Sequence, residues 1–371
     1  MNLTIRQLVP LSACVLTNLA VAEESTTPNI EGSITTTAQT SSDDRVSDEI
    51  QGSADLVGAL PLGPGNLNIH VEGSTTTSGD GVAALVGEAN GDAGSALNDQ
   101  DRGRLQVSEL FYNFHLGEPT LSIGLLDPTS NLDTDAVAND ENIQFLAGPL
   151  VNNSTIVFPD YTLGLSLDTE PEQAGTGYHL FLGSSHGLGD NADRNYSDLF
   201  KLNEDHKGVF AAAEGVWKTP EVTARLGAWL NTSDMVKLEA LQNDNADDTT
   251  HNSGLYGSLN GTMGAGNWSL RAGWADPTVS AAMWTLGAAI EYPVYAATTA
   301  GLGIVHTAAS DDLGPGFDDN LVAELYLRFE ADTHLQISPI FQYVKNPGFD
   351  NTEAVIDKDQ WLAGLRLHVP F

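Results

Sequence analysis

Two things are scarce in this 371-residue chain: cysteine and positive charge. The single cysteine, Cys14, lies in an N-terminal leader pattern, so the body of the chain has no disulfide staple. Fifty acidic residues face fifteen lysines and arginines, a formal net charge of -35 at pH 7, which argues against nucleic acid and anionic lipid as partners. No apolar run past the leader reaches the roughly eighteen residues of a membrane helix, so no helical span is expected. With 37 glycines and many short alternating runs, the chain reads as all-β.

The leader, "MNLTIRQLVPLSACVLTNLAVA", carries Arg6, an apolar stretch, and Ala20 and Ala22 in A-x-A spacing before Glu23. It reads as a secretory signal peptide over residues 1–22, leaving 23–371 as the mature chain. "LSAC" looks like a lipoprotein box ending on Cys14, but Pro10 interrupts the short stretch after Arg6 and the apolar run continues to Ala22.

Strand-length runs fall near residues 30–40, 46–58, 65–78, 104–116, 119–127, 161–170, 176–184, 207–217, 221–231, 252–262, 266–275, 284–292, 298–308, 319–331, 334–344 and 360–371. Short turns such as "LPLGPG", "LGEP", "KTPE", "MGAG", "EYPVY" and "EADT" follow even-numbered strands, and long polar segments follow odd-numbered ones. An even strand number, with short turns at one end and long loops at the other, predicts a transmembrane antiparallel β-barrel of about sixteen strands. Its short turns and both termini would lie in the periplasm and its long loops outside. Such a barrel stands in outer-membrane lipid and encloses a water-filled channel.

One parity of each strand is apolar, as in Val209, Ala211, Ala213, Trp217 and in Leu321, Ala323, Leu325, Leu327, Phe329, while Glu214, Arg225, Arg271, Glu324 and Arg328 sit on the other. A charge facing mid-bilayer lipid costs roughly 2–4 kcal/mol, so an arginine at outward Leu325 is expected to impair stability or assembly and one at inward Tyr326 to be better tolerated. Trp217, Trp268, Tyr292, Phe329 and Phe371 fall at one end of the strands, and Trp274, Trp284, Tyr343 and Trp361 at the other, as two aromatic girdles. The chain closes on "QWLAGLRLHVPF", whose alternate residues Trp361 to Phe371 are all apolar. A terminal strand ending on Phe371 resembles the signal read by the barrel-assembly machinery.

The stretches "ANDENIQFLAGPLVNNSTIVFPDYTLG", "SPIFQYVKNPGF" and "WLAGLRLHVPF" resemble the bacterial carbohydrate-selective porins. The resemblance implies a sixteen-stranded outer-membrane channel for passive diffusion of carbohydrates and other small hydrophilic solutes, with no enzymatic activity and no cofactor, and open to homo-oligomerisation. It also implies that residues 127–161 fold inward as a constriction loop. The inward residues Arg225, Trp229, Arg271, Glu324, Arg328 and Arg366 are expected to line the solute path, and Asp133, Asp135, Asp140 and Glu141 to face them from the loop. Arginine suits hydroxyl-rich solutes because its fork holds several donors in fixed geometry. Pairing of these arginines with wall carboxylates is the competing reading of the same residues. A nonspecific or cation-preferring general porin is the alternative that the net charge favours.

Other apparent motifs fail. "DTDAVANDENI" places Asp133 and Asp135 at calcium-loop spacing, but Val137 and Ala138 occupy positions that need a ligand and a glycine. The acidic outer loops could take calcium incidentally. "SSHGLGD" brings Ser185, His186 and Asp190 together without a nucleophile elbow. His70, His179 and His368 sit singly in strands, and no metal site is expected from them.

Overall fold

The computed structural model describes residues 28–191, 193–201, 207–243, 247–349 and 356–371, so the expected signal peptide lies outside the described residues. Sixteen antiparallel strands form one closed barrel, each paired with its neighbours in sequence and β1 paired with β16. They are β1 Asn29–Ser41, β2 Glu49–Leu62, β3 Gly65–Ser74, β4 Leu105–His115, β5 Thr120–Leu126, β6 Thr162–Thr169, β7 Gly175–Ser184 and β8 Val209–Lys218 in the first half. The second half comprises β9 Val222–Val236, β10 Thr249–Met263, β11 Gly266–Ala275, β12 Ala282–Tyr295, β13 Thr298–Ala309, β14 Asn320–Asp332, β15 Leu335–Lys345 and β16 Asp359–Pro370. Each expected run corresponds to one of these strands. No helix among the described residues is long and apolar enough to cross a membrane, a statement that leaves strands aside.

The expected turn "EYPVY" belongs instead to β12, and the chain reverses at 296–297. Pro293 pairs with Thr299 beside a register shift in the β12–β13 ladder, the kind of irregular place where a strand accepts proline.

Closure depends on the chain's end. The β1–β16 ladder runs from Ser41↔Leu362 to Ser33↔Pro370, and Phe371 extends it, donating its N–H to the Gly32 carbonyl at 2.8 Å and accepting from the Gly32 N–H at 3.0 Å. The Phe371 ring lies against Gly32, where a Cβ would stand 2.6 Å from the ring. A terminal aromatic and a glycine opposite it are therefore one packing unit.

Alternation along the strands sets the two faces. Leu226, Leu255, Leu325, Phe341 and Trp361 are exposed on the outside, while Glu214, Arg271, Glu324, Arg328 and Arg366 are buried on the inside. An apolar belt around a closed barrel is what lipid, not water, accommodates. Trp274 pairs with Trp284 and Tyr343 with Trp361 at the long-loop end, and Tyr343 packs on Trp361 with ring centroids 4.6 Å apart. Trp217, Tyr292, Phe329 and Phe371 stand exposed at the short-turn end.

The interior is not uniformly polar. Inward-facing Val305, Val322, Tyr326, Ile340, Val344 and Leu362 form an apolar seat on β13–β16 for Val137, Phe145, Leu146 and Leu150 of the 127–161 loop. The preceding long loop, 75–104, joins the same cluster through Val82, Val86 and Ala89. Its Gly91 N–H donates to the Leu146 carbonyl at 2.7 Å, and its Ala89 carbonyl accepts from Gln39 and Gln342 at 3.1 and 2.7 Å. Two loops, rather than the one expected, are therefore packed against the inner wall.

Candidate functional site inside the barrel

A loop that leaves the sheet loses ladder partners for its backbone, and in the lumen the wall must supply them. The arginines do so. Arg271 donates to the carbonyls of Leu150 and Val151 at 2.8 and 2.9 Å and to those of Asp133 and Ala138 at 2.9 and 3.1 Å. Arg366 donates to the carbonyls of Glu141 and Gln144 at 2.6 and 2.7 Å. Arg328 reaches the Ile143 carbonyl at 2.6 Å and the Glu291 carboxylate at 3.1 Å. Arg225 donates from Nε to the Thr134 carbonyl at 3.0 Å and from its fork to Glu170 at 2.9 Å. Charged hydrogen bonds of this kind contribute about 1.5–3 kcal/mol each, and the planar fork serves several acceptors at once.

Glu324 does the complementary task. Its carboxylate accepts from the N–H groups of Leu146 and Ala147 at 2.8 and 2.7 Å, at the entry to a short helix, Gly148–Val151, and from Gln342 at 2.9 Å. Donors and acceptors of the loop are thus both met by side chains from the wall.

The loop carboxylates behave differently from the expectation that they confront the arginines. Asp133 alone does so, with Oδ2 3.2 Å from Arg271 Nε. Burial pushes the Asp133 carboxyl up to about 7, the nearby Glu214 and Asp135 carboxylates push the same way, and Arg271 resists. Asp135 turns back on its own loop, accepting from the N–H of Val137 at 2.7 Å and of Ala138 at 3.2 Å, and receives the Ser269 hydroxyl from the wall. Asp140 caps Asn142 and Ile143 at 2.8 and 3.1 Å. Glu141 meets Arg366 through its carbonyl, not its carboxylate.

Most residues expected to line the solute path lie between wall and loop. Glu324, Arg366, Arg271, Arg328 and Trp229 are all buried. Trp229 stacks on Phe210 at 6.2 Å and packs with Leu126, Leu132 and Ile156 of the loop region. Its indole lies over Gly254, where a Cβ would fall 2.4 Å from Nε1. The ring fills the space between wall and loop, so it offers no open face for stacking a sugar.

On the flank β2–β8 the wall carries carboxylates and histidines. The structure replaces the expectation of solitary histidines: His70 Nε2 lies 3.0 Å from Asp55 and Nδ1 3.6 Å from Glu109, and His179 Nδ1 lies 3.1 Å from Asp168 and Nε2 3.6 Å from Glu170. His368 Nδ1 meets the Thr35 hydroxyl at 2.9 Å. Cross-strand register makes these clusters, joining Asp55 to Glu72, His70 to Glu109 and His179 to Asp168 and Glu214. Ser185 Oγ touches His186 Nδ1 at 3.0 Å, but the Asp190 carboxylate accepts from the N–H groups of Asp160 and Gly187 instead of orienting the imidazole.

No family profile matches the chain. An uncharacterized protein of Aquifex aeolicus (strain VF5) is 40% identical over 68 residues, 18% of this chain and 22% of that protein, so the match spans about a fifth of that relative's length. The high-pH structure of Pseudomonas putida OprB superposes with a TM-score of 0.69 at 13% identity, over 93% of this chain and 94% of that one. An engineered variant of the Rhodobacter blastica porin superposes at 0.54 with 11% identity, over 93% of this chain and all of the other. At such identities a likeness carries the fold alone, and the fold is the closed sixteen-strand barrel of the bacterial porins.

Proposed function

We propose that the chain is an outer-membrane porin through which carbohydrates and other small hydrophilic solutes pass by passive diffusion, with its short turns and both termini in the periplasm. The observation that carries this is the inversion of its two surfaces, apolar and aromatic-belted outside, charged inside, on a barrel closed without an edge. The sugar preference rests on the sequence resemblance to carbohydrate-selective porins. In this reading Arg225, Arg271, Arg328, Arg366 and Glu324 act on the solute indirectly, by holding the 127–161 loop across the lumen and so setting the bore.

A second reading has a specific observation behind it. The four arginines are occupied by loop carbonyls and wall carboxylates, whereas Asp55, Glu72 and Glu109 on β2–β4 meet no lysine or arginine in a salt bridge among the described residues. A lumen whose unneutralised charge is acidic concentrates cations. Single-channel recording in planar bilayers separates the two: saturable block of the current by maltose or glucose supports the sugar channel, and a sugar-indifferent current with strong potassium over chloride preference supports the cation pore. Absence of any conductance from correctly folded barrel would remove both.

A further inference from the structure

We propose that Asp55, His70 and Glu72 form a binding site for a divalent metal ion of the zinc type on the inner wall of the barrel. One ligand atom from each residue can be chosen so that all lie within 4.8 Å of one another. Asp55 and Glu72 face each other across the β2–β3 ladder, and His70 precedes Glu72 by two residues and therefore shares its face. Ligands about 2.1 Å from a tetrahedral ion stand about 3.4 Å apart, a contraction within reach of small side-chain rotations. An imidazole with two carboxylates is a borderline donor set that suits zinc better than calcium.

The surroundings point the same way. A metal-binding histidine usually gives its second ring nitrogen to a carboxylate, which fixes the ring; Glu109 lies 3.6 Å from His70 Nδ1, leaving Nε2 to face Asp55. Glu109 is itself held by the Asp127 N–H at 3.0 Å. Glu72 accepts from the Ser108 hydroxyl, with Gln106 Nε2 at 3.5 Å. Each ligand except Asp55 thus has an orienting partner outside the ligand set. Charge supplies a further argument: these carboxylates are largely withdrawn from water, and among the described residues their salt-bridge partner is His70 alone. Asp55, Glu72 and Glu109 share that single imidazole as counter-charge, and exchanging its proton for a divalent ion adds one positive charge to the group. On binding, the ion takes the place of the proton on Nε2, which leaves to solvent.

The test is equilibrium dialysis of the detergent-folded, full-length mature barrel against zinc, in excess calcium and magnesium to occupy the acidic outer loops, with metal content read by mass spectrometry. Wild type should retain one zinc per chain more than His70→Gln or Asp55→Asn. His179→Gln should bind as wild type does, and Glu109→Gln should bind about 10–100-fold more weakly. Equal zinc content in wild type and His70→Gln overturns the proposal. Heat-modifiable gel mobility establishes that each variant is folded. Should a variant fail to fold, X-ray absorption of zinc on wild type decides: a mixed nitrogen and oxygen shell with one imidazole supports the site, and a shell without imidazole overturns it.

Discussion

His70 and His179 occupy nearly matching surroundings on the same inner wall. Each has an aspartate of the preceding strand at about hydrogen-bond distance, Asp55 at 3.0 Å and Asp168 at 3.1 Å, and a glutamate 3.6 Å from the other ring nitrogen. Each sits across the ladder from a glutamate of the following strand, which for His70 is that same Glu109 and for His179 is a second one, Glu214. The difference in charge balance is one arginine. Arg225 reaches Glu170 at 2.9 Å and Glu214 at 3.6 Å and ties the whole group to the loop through Thr134. The His70 group has no such arginine among the described residues. One local pattern therefore makes a strut beneath the loop where a cation is built in, and a cation-seeking patch where none is.

Removing the built-in cation should have the largest effect. Arg225→Met leaves Glu170 with His179 alone as counter-charge, Glu214 with the Asp133 N–H but no arginine, and the Thr134 carbonyl without its side-chain donor; breaking a buried pair in this manner costs about 3–5 kcal/mol. The barrel should unfold at lower denaturant, and residues 127–161 should become cleavable by protease. Unchanged stability together with a protected loop would mean that the arginine is replaceable by water, and that the two histidine groups do not differ in the way described.

A pair of neighbouring substitutions sharpens the separation of wall from loop. Leu325→Arg places a charge on the exposed outer face, at roughly 2–4 kcal/mol, and should impair assembly of the barrel. Tyr326→Arg, expected from parity to be better tolerated, has a cost of another kind: Tyr326 is fully buried, edge-on to Phe145 at 5.1 Å and hydrogen-bonded to Glu291 beside Arg328. That variant should assemble with normal heat-modifiable mobility yet show a larger and noisier conductance, because the loop has lost its seat. Failure of both to assemble would show that loop seating and barrel closure are one cooperative step.

This contrast marks where the sequence was readable. Strand periodicity reports which parity faces lipid, because that parity is apolar on nearly every strand, and the positions of all sixteen strands followed from it. The loop's seat was harder to see. Its signal is that the inward parity of β14 and β15 intersperses apolar Val322, Tyr326, Ile340 and Val344 among Glu324, Arg328 and Gln342, and those apolar residues need a second apolar layer in the lumen. Pairing of the arginines with carboxylates could be read from the sequence, and Glu170, Glu214, Asp133 and Glu291 take part in it; their carbonyl partners had no signal, being backbone groups more than a hundred residues away in the case of Arg271, and any residue type carries one. The histidine clusters depend on exact register across three strands, and an uncertainty of one residue at a turn sends a side chain to the other face.

A smaller effect is expected from the flank that lacks arginine. With metal removed by chelator, Asp55→Asn combined with Glu109→Gln should lower the potassium over chloride permeability ratio by roughly two-fold, since fixed charge along the path sets local ion concentration. Glu214→Gln should change it less, because that charge is already met by Arg225. Equal shifts in the reversal potential from the two changes would contradict the distinction between the flanks.

The smallest effect is local and tests the same logic outside the lumen. In the loop between β1 and β2, Asp43 accepts from Arg45 Nε at 2.9 Å and from its fork at 2.8 Å, and also receives the Asp357 N–H at 2.6 Å across the seam where the barrel closes. The Arg45 guanidinium, helped by these backbone donors against the opposing effect of burial, holds the Asp43 carboxyl well below the usual carboxylate range. A depressed acid stabilises the folded form above its unfolded value near about 4, and that contribution is lost as pH falls from there toward the folded value. Hydrogen exchange at the Asp357 and Arg45 amides should thus be flat from pH 7 to about 5 after correction for intrinsic rates, and should accelerate below about 4. Asp43→Asn should exchange faster at neutral pH and lose the acid-dependent step. An acid step that survives in Asp43→Asn would assign the seam's pH response to another group.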